Sequence, residues 1–322
     1  MEVYSPCQLP PRRRRSRVRN LPPRLRPLPP RRVPHHQCHG VPLQHQHRCN
    51  EDKPIQVCQV WAQNAEEEFH RIAWALRHGY AVISFDTEFP GFCYTPPGIS
   101  SDYRTRTNLQ HYAVMKMNVE RLKLIQVGLT ISDESGNLPD FGAENRVVWE
   151  FNLSDFDVDV DEHNQESIQL LRKQGMDFER NKTMGVRPDR LAKFILLSGM
   201  IAGLRSSVAW ITFQGGVDLA FILKLILRCP LPNDMEHFKA WVSFYFGTSV
   251  FDVKYMASQC SYLHGGLDRI AAAVNVRREA GESHCAGSDS LLTMMVFMRI
   301  RKLFFSEQDR TRMFAGKLHN FV

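Results

Sequence analysis

The pattern of apolar and polar positions divides this chain at about residue 55. Before that point the chain is rich in proline and arginine, whereas beyond it apolar stripes with helical spacing alternate with short apolar runs rich in β-branched residues. An apolar stripe within residues 69–76 predicts a helix that ends at Gly79, and Asn64 followed by Glu67 predicts a capping box at its start. A folded domain is therefore expected to begin near residue 55.

Short apolar runs beyond residue 55 predict strands, at 80–85 (YAVISF), 122–131 (LKLIQVGLTI), 146–153 (RVVWEFNL) and 208–213 (VAWITF). The first of these runs is apolar on both faces, which is typical of a strand that is buried on both sides of a sheet. Helical patterns follow at about 164–174, 188–198, 219–227, 233–246, 252–260, 266–275 and 287–305. Strands mixed with helices predict an α/β domain with a central sheet.

Charge is distributed unevenly along the chain, which changes the interpretation of its basic pI. The 322 residues carry a net charge of +7, and the pI of about 9.0 is typical of a nucleic-acid binder. Residues 1–50, however, hold eleven arginines, no lysine and one acid, whereas residues 51–322 carry thirty Lys and Arg against thirty-three Asp and Glu. The folded part is therefore slightly acidic, and the basic character belongs to the tail.

Residues 1–54 are predicted to form a disordered tail. The first fifty residues hold ten of the eighteen prolines and five of the thirteen histidines, and such segments bury too little apolar surface to offset the entropy of ordering. The arginine-rich stretch 12–19 is equally consistent with a nuclear-import or RNA-attracting patch and with a solvated tail without function. The histidines and cysteines between 35 and 49 match no structural zinc spacing.

Membrane insertion and secretion are not expected for this sequence. No apolar run approaches the roughly 20 residues that a membrane span needs, and the start of the chain lacks the apolar core of a secretory signal. The eight cysteines are scattered without CxxC pairs, which is typical of reduced thiols. We therefore expect the protein in the cytoplasm and the nucleus.

Four acidic residues stand where an apolar element meets a loop. Asp86 and Glu88 follow the first predicted strand two positions apart, so both side chains point to the same side. They also lie at the C-terminal edge of the sheet, where open α/β sheets bind ligands. Asp218 precedes the helix predicted at 219–227. Asp289 opens the last long helix, and His284 stands five residues before it.

Converging carboxylates of this kind need cations, because two of them about 4 Å apart repel by about 4 kcal/mol at an effective dielectric of about 20. Hard oxygen ligands favour Mg²⁺ or Mn²⁺ over zinc. Two such ions can clamp the attacking and leaving oxygens of a phosphodiester, and a histidine can deprotonate the attacking water. Taken singly, however, acids such as Asp218 and Asp289 are more often helix caps than metal ligands, and a histidine such as His284 is more often an exposed loop residue.

Five motifs follow one another between about residue 55 and about residue 306, namely 85–91 (FDTEFPG), 122–130 (LKLIQVGLT), 149–156 (WEFNLSDF), 251–256 (FDVKYM) and 286–293 (AGSDSLLT). In this order they resemble the deadenylases of the CCR-four-associated factor one (Pop-two) family, and the sequence is similar to that of plant members. The resemblance implies the ribonuclease-H-like fold of DEDD exonucleases, with a mixed central sheet flanked by helices. It also implies 3′→5′ shortening of poly(A) tails of mRNA, with release of AMP.

The same resemblance implies that Asp86, Glu88, Asp218 and Asp289 ligate two divalent ions, Mg²⁺ or Mn²⁺, with His284 as general base. Asp252, within FDVKYM, would support the site, although the cap of the following helix is an equally good explanation for it. The implied partners are poly(A) RNA, a helical Not-type scaffold and a second deadenylase of the exonuclease–endonuclease–phosphatase type. The expected organisation is a tail at 1–54, the deadenylase domain at 55–306 and an extension at 307–322.

One segment departs from the family pattern. Members typically read F-H-S-G-Y-D before the second aspartate, whereas this chain reads FQGGVD at 213–218. Asp218 is retained, but Gln214, Gly215 and Val217 replace a histidine, a serine and a tyrosine. Two adjacent glycines are expected to loosen the backbone that leads to a ligand. This departure favours one alternative, a catalytically weakened scaffold or regulatory subunit. A further alternative is a DEDD exonuclease that acts on other RNA or on DNA.

Overall fold

The computed structural model describes residues 53–201, 208–305 and 308–321. The expectations for the arginine-rich tail, for its histidines and cysteines and for its role in nuclear import or RNA attraction all lie outside the described residues. Within these ranges, no helix is long and apolar enough to cross a membrane.

A six-stranded mixed sheet forms the centre of the part that is described. Its strands in chain order are β1 (Ile55–Val60), β2 (Val82–Glu88), β3 (Gln126–Ser132), β4 (Arg146–Asn152), β5 (Ala209–Thr212) and β6 (Val250–Asp252). They lie side by side in the order β1-β4-β3-β2-β5-β6. The β2 strand pairs antiparallel with β3 and parallel with β5. It is thus a central strand, which explains why its residues are apolar on both faces.

Helices cover both faces of this sheet. In chain order they are α1 (Ala65–Arg77), α2 (Asn108–Arg121), α3 (Gln165–Lys173), α4 (Phe178–Met184), α5 (Pro188–Leu197), α6 (Gly216–Leu227), α7 (Met235–Phe246), α8 (Val253–Ser258), α9 (Leu267–Ala273), α10 (Ala286–Phe304) and α11 (Gln308–Arg312). The α/β architecture predicted from the sequence, a mixed sheet flanked by helices, is confirmed.

Consecutive side chains of β2 pack into two apolar clusters, one on each face of the sheet. Ile83 packs in a cluster with side chains of α1, α2, α5, α6 and α7, whereas Val82 packs with side chains of α8, α9 and α10. Because side chains alternate along a strand, Asp86 and Glu88 point to the same face as Val82. The helix α10, which packs across β2, β3, β4 and β5 on that face, therefore covers the two acids.

Several predicted boundaries move in the structure. The first predicted strand continues past residue 85, because Asp86 pairs with Gly128 of β3 and Glu88 pairs with Gln126. The helix predicted at 219–227 begins at Gly216, so Asp218 lies inside its first turn. Both shifts move acidic residues from the flanking loops into regular structure, where their directions are fixed.

The predicted capping box at α1 is wrong. Asn64 makes no side-chain cap to the helix, and its Oδ1 instead accepts a hydrogen bond from the backbone N–H of Trp61 at 2.7 Å. A capping box does occur at α2, where Thr107 and Gln110 bond each other's backbone N–H groups. The sequence pattern did not predict α2, because polar residues are spread over its length and its amphipathic stripe is weak.

Candidate metal centre

Three of the predicted acids converge on the face of the sheet that α10 covers. One carboxylate oxygen each from Asp86, Glu88 and Asp289 lies within 4.8 Å of the other two. The first two come from β2, and the third comes from the first turn of α10. Alternation along the strand accounts for the first pair, whereas the position of Asp289 depends on how the start of α10 is attached to the sheet.

Side chains of the sheet hold the N-terminus of α10. The first free N–H groups of a helix have no partner inside the helix, and here Ala286 N donates to Gln126 Oε1 at 3.1 Å while Gly287 N donates to Glu150 Oε2 at 2.8 Å. Glu150 in turn accepts from Gln59 Nε2 at 2.6 Å. The sequence analysis did not identify this polar network.

Two glycines allow the helix to approach the sheet closely enough for these bonds. A Cβ on Gly128 of β3 would lie 1.8 Å from the carbonyl oxygen of Ala286, and a Cβ on Gly287 would lie 2.9 Å from Val57. Gly128 of the LKLIQVGLT motif is therefore required by close packing between β3 and α10, and Gly287 of the AGSDSLLT motif by close packing of α10 on β1 and β4. This packing places Asp289 beside the acids of β2.

Asp218 reaches the same region from the first turn of α6. Its Oδ1 accepts hydrogen bonds from the backbone N–H of Thr87 at 3.0 Å and from the Thr87 hydroxyl. Thr87 stands between Asp86 and Glu88, and it points to the opposite face of β2. Asp218 is buried and lies outside the group of three oxygens, but its charge acts on both Asp86 and Glu88.

The acids of β2 are only partly compensated by nearby charge. Removal from water, then the charges of Asp218, Glu88 and Asp289, raise the pKa of Asp86 well above its ordinary value, and the charge of Arg278 opposes that rise. Removal from water also raises the pKa of Glu88, to about 8. Among the neighbouring charges that add to this rise, that of Asp289 contributes more than that of Asp218. Within the described ranges no protein group donates a hydrogen bond to either carboxylate. Two adjacent carboxylates without protein donors fit a hard divalent cation.

Asp218 itself is partly compensated. Removal from water raises its pKa to about 7, against the opposing effect of the bonds from Thr87. Both of these bonds go to Oδ1, so β2 fixes that oxygen.

Arg278 is a charged neighbour that the sequence analysis missed. Its Nη1 lies 2.6 Å from Asp289 Oδ1, and its Nη2 donates to Asp268 Oδ1 at 2.9 Å. Removal from water raises the pKa of Asp289, and the charge of Arg278 opposes that rise. No spacing rule could have found this residue, because a loop of irregular structure joins it to α10.

His284 lies at the edge of the cluster. Its backbone N–H donates to Asp289 Oδ2 at 2.9 Å, and the residue adopts a left-handed backbone conformation with φ of 60°. The imidazole is exposed. The residue lines a cavity of about 240 Å³ together with Glu150 and Cys285. The backbone of the predicted base is thus fixed directly to a predicted metal ligand.

Asp252 lies apart from the three converging oxygens and is fully buried. Its Oδ1 accepts from Lys254 N and Tyr255 N, so it caps α8, which is the structural role considered from the sequence. The same carboxylate also accepts from Gln214 N and from His319 N, each at 2.9 Å. It therefore joins three segments of the chain.

The FQGGVD segment is closely packed. A Cβ on Gly215 would lie 2.2 Å from the Cβ of Thr212, and a Cβ on Gly216 would lie 2.2 Å from the ring of Phe321. Gln214 adopts φ of 58°, and its side chain donates to Tyr103 Oη at 2.5 Å. The expectation that the two glycines loosen this backbone is therefore not met, because neighbouring side chains occupy the space that larger residues would need.

Comparison with known proteins identifies the family. The family model described as CAF1 family ribonuclease matches residues 60–188 and 188–297. The probable CCR4-associated factor 1 homolog 7 of Arabidopsis thaliana is 40% identical over 255 residues, which are 79% of this chain and 90% of that protein. The poly(A) ribonuclease pop2 of Schizosaccharomyces pombe is 37% identical over 257 residues, 79% of this chain and 72% of that protein.

Solved structures agree with this result. The Mg²⁺ and Mn²⁺ bound form of S. pombe Pop2p has a TM-score of 0.74 and 36% identity, and the match covers 83% of this chain and 99% of that chain. A yeast structure of the NOT1 MIF4G domain co-crystallized with CAF1 has a TM-score of 0.65 and 27% identity, with coverage of 82% and 96%. The predicted ribonuclease-H-like fold and the predicted family are both confirmed. The chain belongs to the CAF1 ribonuclease family.

Proposed function

We propose that this protein is a metal-dependent 3′→5′ exoribonuclease that shortens poly(A) tails and releases AMP. The observation that carries the proposal is the convergence of Asp86, Glu88 and Asp289, two of which receive no protein hydrogen bond in the described part of the chain. Support for the substrate comes from the S. pombe relative, which is named a poly(A) ribonuclease.

Two divalent cations, Mg²⁺ or Mn²⁺, are the proposed cofactors, as in the metal-bound form of S. pombe Pop2p. Asp86, Glu88, Asp218 and Asp289 would hold them. When bound, such ions activate a water molecule and stabilise the charge that develops on the leaving oxygen of a phosphodiester. The donors fit because all four are carboxylates, the class of ligand that both ions prefer.

The chain's own groups then have separate tasks. Thr87 orients Asp218 through two hydrogen bonds to one of its oxygens. His284 accepts the proton of the attacking water on its exposed imidazole, because its backbone bond to Asp289 keeps the ring at the edge of the acidic cluster. A His284→Gln variant should lower kcat strongly. An unchanged kcat would remove His284 from this role.

The choice of substrate is tested by direct competition. The protein with Mg²⁺ receives a mixture of poly(A), RNA of mixed sequence and single-stranded DNA, each carrying a different 5′ label. The proposal predicts stepwise shortening of poly(A) ahead of both competitors. Equal shortening of mixed RNA or of DNA would favour a DEDD exonuclease with another substrate.

We propose a Not-type helical scaffold as a partner, because yeast CAF1 was co-crystallized with a NOT1 MIF4G domain. A second deadenylase of the exonuclease–endonuclease–phosphatase type, and a location in both cytoplasm and nucleus, belong to the same proposal. The packing of the FQGGVD segment and the bonds to Asp218 favour a catalytic subunit over a purely regulatory one. Binding of the purified chain to a MIF4G domain by calorimetry tests the first of these partners, and absence of binding would contradict it.

A further inference from the structure

The segment 316–321 near the C-terminus runs from the edge of the sheet to the start of α6. It leaves β6 with a hydrogen bond from Gly316 N to the carbonyl oxygen of Val250 at 2.8 Å. It ends at Phe321, whose side chain is 5% exposed and packs against the rings of Tyr112 and Phe238. The predicted extension thus contributes to the main apolar core.

The first contact between this segment and the loop before Asp218 is the carboxylate of Asp252. One of its oxygens accepts from Gln214 N and the other accepts from His319 N, both at 2.9 Å. The carboxylate is completely buried, so these bonds are shielded from competing water. A shift of His319 would therefore disturb the group that holds Gln214.

The second contact is the hydroxyl of Tyr103. It accepts from Gln214 Nε2 at 2.5 Å and also from Asn320 Nδ2. The ring of Tyr103 is held edge-on against His111 of α2. The same loop and the same segment are thus joined a second time, on the side chain of Gln214.

The third contact is direct packing of Phe321 on Gly216. The ring lies where a side chain at position 216 would begin, because a Cβ there would be 2.2 Å from Phe321 Cε2. Gly216 is the first residue of α6, and Asp218 lies in the same turn. The ring therefore supports the turn that carries the carboxylate.

We propose that the segment 316–321 positions Asp218 for metal binding, with His319 and Phe321 as positioning residues. Asp86 and Glu88 are fixed by the strand ladder of β2, and Asp289 is fixed by the bonds at the start of α10. Asp218 is held by Thr87 of β2, but its own helix is preceded by a short loop, and the three contacts with the segment support that loop and the start of the helix. This inference rests on the proposed role of Asp218 as a metal ligand.

The test measures Mn²⁺ binding to the full chain by calorimetry, without RNA, together with kcat and KM on poly(A). The variant Phe321→Ala should weaken one of two Mn²⁺ sites by about tenfold and lower kcat by about tenfold, with KM nearly unchanged. Its matched control is Phe178→Ala, which removes an equally buried phenyl ring, also 5% exposed, from a separate cluster around Phe156. The control should lose thermal stability and retain both Mn²⁺ affinities.

A second pair of variants covers the case in which Phe321→Ala does not fold. His319→Pro removes the N–H that Asp252 accepts, because proline has no amide hydrogen, whereas His319→Ala keeps it. Weakened Mn²⁺ binding in the proline variant alone supports the proposal. Normal affinity at both sites in folded Phe321→Ala or His319→Pro overturns it. Two bound Mn²⁺ ions without poly(A) shortening by the intact protein would instead contradict the proposed function.

Discussion

Thr87 donates both its backbone N–H and its hydroxyl to the same oxygen of Asp218, a residue that follows it by 131 positions. Asp86 and Glu88, its neighbours in β2, point to the other face of the sheet. A single strand therefore presents two acids to one side and aligns a third acid from the other side. The position of Asp218 depends on β2 as much as on its own helix.

Thr87→Val is predicted to lower the activity. It removes the hydroxyl donor from a buried carboxylate, and a hydrogen bond to a charged group contributes about 1.5–3 kcal/mol, which corresponds to roughly tenfold or more in binding. We expect a loss of about that size in Mn²⁺ affinity and in kcat, measured by calorimetry and by poly(A) shortening. Thr87→Ser keeps the hydroxyl and should behave like the intact protein. Equal behaviour of the valine variant would show that the hydroxyl has no part in positioning Asp218.

Stability without metal is predicted to depend on pH through the acidic cluster. The pKa of Glu88 is raised to about 8 and that of Asp218 to about 7, whereas in the unfolded chain both ionise near their ordinary values of 4.5 and 3.8. Between these limits the folded state binds more protons than the unfolded state. The free energy of unfolding contributed by these groups therefore falls as the pH rises from about 5 to about 8.

The measurement is thermal unfolding in EDTA across that range, for the intact protein and for Glu88→Gln. Because glutamine does not titrate, the variant should lose less stability than the intact protein as the pH rises. The comparison cancels the titration of other groups, including His111 and His319, whose pKa values burial lowers. Saturating Mn²⁺ should remove most of the difference. Parallel curves in EDTA would show that ionisation of Glu88 does not account for the loss of stability as the pH rises.

Restoring the family residues in FQGGVD is predicted to fail at one position. A side chain at Gly215 would collide with Thr212, whose own side chain is short and fully buried. Gly215→Ser alone should therefore lower both thermal stability and activity. Adding Thr212→Ala should recover much of the loss, because it clears the space. Full activity of the single Gly215→Ser variant, measured on poly(A), would contradict this packing.

Arg278→Ala is predicted to change stability and metal affinity in opposite directions. The guanidinium lies 2.6 Å from Asp289 Oδ1, where it offsets part of the negative charge of the cluster. Its loss should lower the unfolding temperature in EDTA and strengthen Mn²⁺ binding by a few-fold, on the order expected for a partly screened charge. Arg277→Ala removes the same charge from an exposed neighbour and should change neither quantity by much. Weaker Mn²⁺ binding in Arg278→Ala would mean that the arginine orders the site instead.

The sequence was informative wherever local periodicity determines the direction in which a side chain points. The spacing of Asp86 and Glu88, combined with strand alternation, predicts two carboxylates on one face. The bond from Thr87 to Asp218 and the ion pair of Arg278 with Asp289 were not predictable in this way. Each depends on segments that meet only through tertiary packing.

The glycines at 215 and 216 also show that tertiary packing is not predictable from the local sequence. Their conformational freedom suggested a loose loop, but freedom is a property of the isolated backbone. In the folded protein Thr212 and Phe321 fill the space beside them. Elements without a strong apolar pattern were also missed, among them α2 and the edge strand β1, because their burial depends on partners elsewhere in the chain.

The most direct test of the central claim is the shortening of 5′-labelled poly(A) in Mg²⁺ by the intact protein and by Asp86→Asn. Asparagine keeps the size of the side chain and removes its charge, so the fold should be preserved while the metal centre loses a ligand. The intact protein is predicted to give a ladder of products one nucleotide apart together with AMP, and Asp86→Asn to be slower by about a hundredfold or more, on the scale of a lost electrostatic contribution to catalysis. Equal ladders from the two proteins would contradict the assignment of the acidic cluster as the catalytic centre.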